Sequence, residues 1–138
     1  VVAAVCMLLS NLTQREASVR ALVERPSADQ SPRLNIIMDR FFKDTANPVD
    51  YLAYVLMNCS HLSEGQDLIL KHSLAVDSLL GNLTHSNAVR RIGCAATLKH
   101  LLFREEYHPK LAESLIGGLC VPLVQHGDHW KDEDREGM

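Results

Sequence analysis

A helix-sized phrase of small and aliphatic residues occurs three times along the chain, and its spacing limits the possible folds more than any other feature. Val2-Ala3-Ala4-Val5-Cys6-Met7-Leu8-Leu9-Ser10-Asn11-Leu12 is the first copy. Val49-Asp50-Tyr51-Leu52-Ala53-Tyr54-Val55-Leu56-Met57-Asn58-Cys59 repeats the design about 47 residues on. Arg91-Ile92-Gly93-Cys94-Ala95-Ala96-Thr97-Leu98-Lys99-His100-Leu101 repeats it about 42 residues later. Offsets of this size are the period of helical solenoids of the armadillo or HEAT type. The spacing therefore predicts an all-α, right-handed armadillo/HEAT-like helical solenoid of about three repeats. In such a fold each unit exposes apolar faces that only the next unit covers. Function then lies in recognition along a surface rather than in chemistry within a pocket.

Composition agrees with closely stacked helices. Apolar residues make up 46% of the 138-residue chain but aromatics only 5%, so Ala, Leu and Val must do the packing. The formal charge of −3 argues against a general nucleic-acid binder, which presents a basic face. No apolar run approaches the roughly 18 residues of a membrane span, so no membrane partner is expected. The apolar start, Val1 to Leu9, lacks a basic flank and a small-residue cleavage site and reads poorly as a signal peptide. Cys6, Cys59, Cys94 and Cys120 show no C-x-x-C spacing. Three of them sit in apolar helical patterns, where free Cys behaves as a small hydrophobe. Reduced, buried thiols predict a cytoplasmic protein, with the nucleus as a second compartment. The N-x-[ST] triplets at Asn11, Asn58 and Asn82 read as coincidence in that setting.

The pattern predicts helices over Val1–Leu12, Glu16–Glu24, Arg33–Lys43, Pro48–His61, Ser63–Lys71, Leu74–Gly81, Ala88–Phe103 and Glu105–Gly117, with a short apolar piece over Leu119–His126. Leu111, Leu115 and Ile116 are expected to point inward. Asn47 and Pro48 suit a helix cap and first position, and Ser86 or Asn87 caps the long helix that follows. Residues 1–126 form the repeat domain, and 127–138 are an acidic polar tail or loop. The first helix opens with no capping residue before it, which predicts a middle fragment of a longer protein.

Polar residues left over on the third phrase recur at helical spacing: Arg90, Gly93, Thr97, His100 and Arg104. Tyr51, Tyr54, Asn58 and His61 trace a similar seam on the second phrase, and Asn11 and Gln14 begin one on the first. Side by side, these seams predict a continuous strip for holding a protein segment. An Asn amide both donates and accepts, so it pairs with a peptide backbone without reading its sequence. Tyrosine adds contact area and Arg adds forked bonds to carboxylates. The competing readings are that the Asn residues tie helix ends to neighbouring loops, that the tyrosines pack between repeats, and that Arg90 and Arg91 make structural salt bridges. His126-Gly127-Asp128-His129 has metal-ligand composition without a shell to fix it. No phosphate loop and no nucleophile with its base emerge from the spacing. The expectation is a non-enzyme without cofactor or metal.

Three stretches carry a family resemblance. They are Cys6-Met7-Leu8-Leu9-Ser10-Asn11-Leu12-Thr13; Tyr51-Leu52-Ala53-Tyr54-Val55-Leu56-Met57-Asn58 followed by Glu64-Gly65-Gln66; and Asn87 to His100 continued by Phe103-Arg104-Glu105-Glu106-Tyr107-His108. Together with the acidic run Asp132 to Glu136 they resemble the Hgh-one homolog family, armadillo-like eukaryotic proteins. The family usually has Asn where this chain has His100, and a Cys pair where it has Leu101-Leu102. The resemblance implies a cytosolic cochaperone that binds translation elongation factor two during its biogenesis and helps recruit the chaperonin TRiC/CCT. The alternative is a generic armadillo-type scaffold or transport adaptor that holds a linear peptide motif.

Overall fold

The computed structural model describes residues 1–45 and 48–124. Asn47, expected as a helix cap, and the acidic run 127–138 with its His126–His129 cluster lie outside the described residues. Among the described residues eight α-helices follow one another: α1 (Val2–Leu12), α2 (Glu16–Val23), α3 (Arg33–Lys43), α4 (Leu52–Cys59), α5 (Ser63–Lys71), α6 (Ala75–Gly81), α7 (Ala88–Leu102) and α8 (His108–Val124). Short 3-10 turns, Asn82–Thr84 and Glu105–Tyr107, precede α7 and α8. No strand occurs among the described residues, so the fold is all-α.

The three helices built from the repeated phrase pack in sequence: α1 on α4, and α4 on α7. Around them α2 touches α3 and α5, α3 touches α5 and α6, and α6 touches α8. Small residues set the α4–α7 spacing. A Cβ built on Gly93 would stand 2.6 Å from the Ala53 Cβ and 2.8 Å from the Ala53 carbonyl oxygen. Gly65 in α5 approaches the Cys59 carbonyl oxygen still more closely, at 2.0 Å for the same construction. Side chains at these two points would wedge the helices apart. The core they close over contains Leu34, Met38, Phe41, Val55, Leu56, Ile69, Leu79 and Leu101, all essentially inaccessible to solvent.

Two expected boundaries move. The predicted fourth helix shortens, because the chain at Val49, Asp50 and Tyr51 makes three-residue turns, with Leu52, Ala53 and Tyr54 N–H groups donating to their carbonyls. Helix α8 runs on through Gly117, Gly118 and Pro122 where a break was expected. Gly118 is useful there: a Cβ would meet the Leu80 side chain at 2.8 Å, so its absence lets α8 lie close against α6. Leu111 and Leu115 point inward as expected, but Ile116 is exposed.

Helix α1 buries Cys6 and Ser10 and turns Val1, Val5, Leu8 and Leu12 outward, each more than half exposed. Those four recur at i, i+4, i+7 and i+11, so they form one apolar stripe left uncovered by the described residues. Concentration-dependent self-association is the expected result, measurable by light scattering. Leu8→Lys should reduce it while moving stability by no more than about 0.5 kcal/mol. A monodisperse unsubstituted chain at high concentration would contradict this.

Candidate protein-binding surface

The polar residues of the phrases divide into two groups once placed, one internal and one facing solvent. Arg90 belongs to the first and has no accessible surface. Its Nε donates to Asp50 Oδ1 at 2.5 Å, its Nη1 to Asn82 Oδ1 at 3.2 Å, and its Nη2 to the Asp44 carbonyl at 2.5 Å. The guanidinium carbon stands 4.6 Å from the centroid of the Phe41 ring. Asp50 Oδ2 accepts from Asn87 Nδ2 at 2.9 Å, and Asn87 Oδ1 in turn caps α7 by accepting from the Val89 N–H at 2.8 Å. Arg90 is therefore a structural clamp between the start of α7 and the chain at Asp44 and Asp50. It cannot serve as the client-binding residue expected from its spacing.

Thr97 is likewise corrected. It is fully buried, and its hydroxyl donates to the Gly93 carbonyl one turn back at 2.7 Å. The small and polar row of α7 is thus the ridge that packs on α4. The solvent face of α7 is instead Ile92, Ala95, Lys99 and Phe103. Arg104 is only part-exposed and already engaged: it pairs with Asp67 at 3.2 Å and with Glu106, and lies 5.2 Å from the Tyr107 ring centroid.

Asn58 and His100 form internal rungs. Asn58 Nδ2 donates to the Ser10 carbonyl at 3.1 Å and to Thr13 Oγ1 at 3.0 Å, tying α4 to the end of α1. His100 Nδ1 meets Ser60 Oγ at 2.7 Å, tying α7 to the end of α4. The serines match locally, since Ser10 Oγ donates to the Met7 carbonyl and Ser60 Oγ to the Met57 carbonyl. His100, with 9% of its surface exposed, is a rung rather than a display residue.

What remains facing solvent is one stripe of α4 and its C-terminal turn, with Asn11 exposed at the end of α1. Tyr51 and Tyr54 are half-buried, with ring centroids 6.1 Å apart and nearly perpendicular. Burial pushes the Tyr54 phenol pKa up, with a smaller contribution from Tyr51. His61 is exposed beyond them. Next to it opens a cleft of about 300 Å³ lined by Thr13, Gln14, Glu16, Val19, Asn58, His61 and Leu62. Gln14, Asn58 and His61 bring amide and imidazole groups to this cleft, and Val19 and Leu62 give it an apolar wall. Of the strip expected on α4, Tyr51, Tyr54 and His61 stay open to solvent while Asn58 bonds back to α1; the Asp50–Asn87 pairing carried no sequence signal, because its partners lie 37 residues apart.

Buried cysteines offer no reactive thiol here. Burial pushes Cys59 and Cys94 up to about 12, and Cys6 is raised as well. Among the described residues no group of three or more His, Cys, Asp or Glu is placed to hold a metal ion. None of the described helices is long and apolar enough to cross a membrane.

These features define an all-helical domain with a solvent-facing polar and aromatic stripe on its central helix. A family model described as "Domain of unknown function (DUF383)" matches residues 1–138, and the chain belongs to that family. It is similar to the protein named "Protein HGH1 homolog" of Xenopus laevis, at 27% identity over 96% of this chain and 38% of the relative. The proteins of the same name in Xenopus tropicalis and Schizosaccharomyces pombe are each 28% identical, covering 97% and 96% of this chain and 38% and 42% of their own lengths. The chain therefore spans about two fifths of the curated relatives it matches. No solved structure matches it.

Proposed function

We propose that this domain is a non-catalytic protein-binding segment of a right-handed armadillo-like solenoid. In this reading it works as a cytoplasmic cochaperone domain that binds translation elongation factor two and aids its folding together with the chaperonin TRiC/CCT. Membership of the DUF383 family and similarity to the HGH1 homologs support the family half of the reading. The observation that carries the binding half is the exposed α4 stripe. Tyr51 and Tyr54 present rings to solvent on a helix whose Leu52, Ala53, Val55, Leu56 and Cys59 are all buried. Among the described residues neither phenol has a hydrogen-bond partner, and aromatic residues of this kind dominate interface energetics.

The test is capture of elongation factor two by the chain and its variants. Tyr54→Ala should weaken capture by about 2 kcal/mol, close to a 30-fold rise in Kd, with the helical signal and Tm nearly unchanged. Gln14→Ala and His61→Ala should weaken it less. Unchanged capture by Tyr54→Ala, with loss on substituting the outer faces of α2 or α3, would sink the stripe as the site. The about 300 Å³ cleft beside His61 supports a second reading, a scaffold that holds a linear peptide motif. Tight binding of short unfolded peptides, with none of an incompletely folded elongation-factor domain, would favour that reading.

A further inference from the structure

The rung between α7 and the end of α4 ends in two imidazoles. The rings of His61 and His100 lie 4.2 Å apart, centroid to centroid, tilted by 45°. His100 is buried, whereas His61, one residue beyond Ser60, is exposed. The hydrogen-bond network assigns the His100 tautomer. The single Ser60 hydroxyl proton goes to the Met57 carbonyl at 2.7 Å, so Ser60 Oγ accepts from the His100 Nδ1–H at 2.7 Å. A second proton must then enter at Nε2. The geometry points to a pH-sensitive latch: with both rings neutral the turn after α4 closes on α7, and mild acid forces the contact open.

The surroundings of His100 offer its charged form little compensation. Lys99 is a cation on its own helix, and His61 adds a second charge when protonated. Gln66 of α5, which donates to the Ser60 carbonyl at 2.8 Å and to the His100 carbonyl at 3.4 Å, is neutral. The nearby carboxylates are engaged elsewhere: Glu16, which lines the cleft with His61, and Glu64 both pair with Arg20, and Asp67 and Glu106 with Arg104. Burial, then His61, then Lys99 depress the His100 pKa, against a smaller opposing pull from the Met57 carbonyl. The sign follows. In the unfolded chain His100 takes its proton near pH 6.5, and in the folded chain only at lower pH. Stability is therefore intact above about 6.5 and is lost as pH falls from there toward the folded value. This holds whether or not the neighbouring stripe binds a client.

Ring-proton NMR titration and urea denaturation at pH 7.5 and 5.5 test the latch. His100 should titrate below its ordinary value, and His61→Gln should move that titration upward by removing the opposing charge. Between the two pH values the folding constant of the unsubstituted chain should drop up to about tenfold more than that of His100→Asn, whose amide still donates to Ser60 but takes no proton. Titration of His100 at or above pH 6.5, or the same pH dependence in both chains, would overturn the proposal. If His100→Asn does not fold, the NMR titration of the unsubstituted chain decides alone.

Discussion

Arg90→Met is expected to cost about 3–5 kcal/mol of folding stability, a large effect for one substitution. The side chain has no exposed surface, and its loss would strand the Asp50 carboxylate, which is 5% exposed, with only the Asn87 amide beside it. The Asp44 carbonyl and Asn82 Oδ1 would lose their donor at the same time. Typical domains hold only about 5–15 kcal/mol in total, so a loss of this size brings the domain near unfolding at 25 °C. Urea denaturation followed by circular dichroism measures it. The double variant Arg90→Met/Asp50→Leu should recover a large part of the loss, because replacing both members of a buried pair removes the stranded charge. A single-variant change below about 1 kcal/mol would mean that the clamp contributes little. Arg90→Lys should also be costly, since one ammonium cannot reach the Asp50, Asn82 and Asp44 acceptors in the geometry of the planar fork.

The second large effect is expected at Gly93. One added methyl would stand 2.6–2.8 Å from Ala53 atoms, two of them backbone, so α4 and α7 must separate to admit it. Overpacking of this kind costs typically 1–3 kcal/mol, and Gly93→Ala should fall at the upper end because the neighbour is main chain rather than a movable side chain. Ala53→Gly would relieve the methyl–methyl clash but leave the Ala53 carbonyl in place, so it should rescue only part of the loss. Gly81→Ala is the control. Nothing lies within 4 Å of its Cβ, and replacing Gly in a helix removes a conformational-entropy cost, so it should be neutral or stabilising by about 0.5–1 kcal/mol. Equal Tm values for Gly93→Ala and Gly81→Ala would refute the close-approach account of the α4–α7 contact.

Both predictions concern α7, where the sequence reading and the structure part most clearly. Helical periodicity gathers Arg90, Gly93, Thr97 and His100 onto one face of α7, with Arg104 just past its end, but periodicity carries no sign. A row of small and polar residues among aliphatic ones reads as a solvent face if burial follows apolarity. Here the reverse holds for most of the row. Gly93 and Thr97 are small enough for backbone contact, and Thr97 satisfies its own hydroxyl one turn back. Arg90 finds Asp50 and the Asp44 carbonyl some 40 and 46 residues away along the chain. The apolar Ile92 and Phe103 are left exposed in exchange. On α4 the ordinary rule works, because its Leu, Val and Ala positions fill the centre and only Tyr51, Tyr54, Met57 and Asn58 remain partly open.

Local information in the sequence determined the all-helical class, the succession of helices, the stacking order implied by the threefold phrase, and the polar stripe of α4. Each depends on residue type at a period of 3.6 or on the repeat spacing, both of which survive without knowledge of neighbours. Only the tertiary structure decided which face of α7 turns inward, that α8 continues past Gly118 and lies close against Leu80 there, and that Asn58 and His100 bond to the helix before them. Those outcomes depend on partners 38 to 48 residues distant, and a buried polar group is stable wherever a partner completes its hydrogen bonds, which no local pattern records.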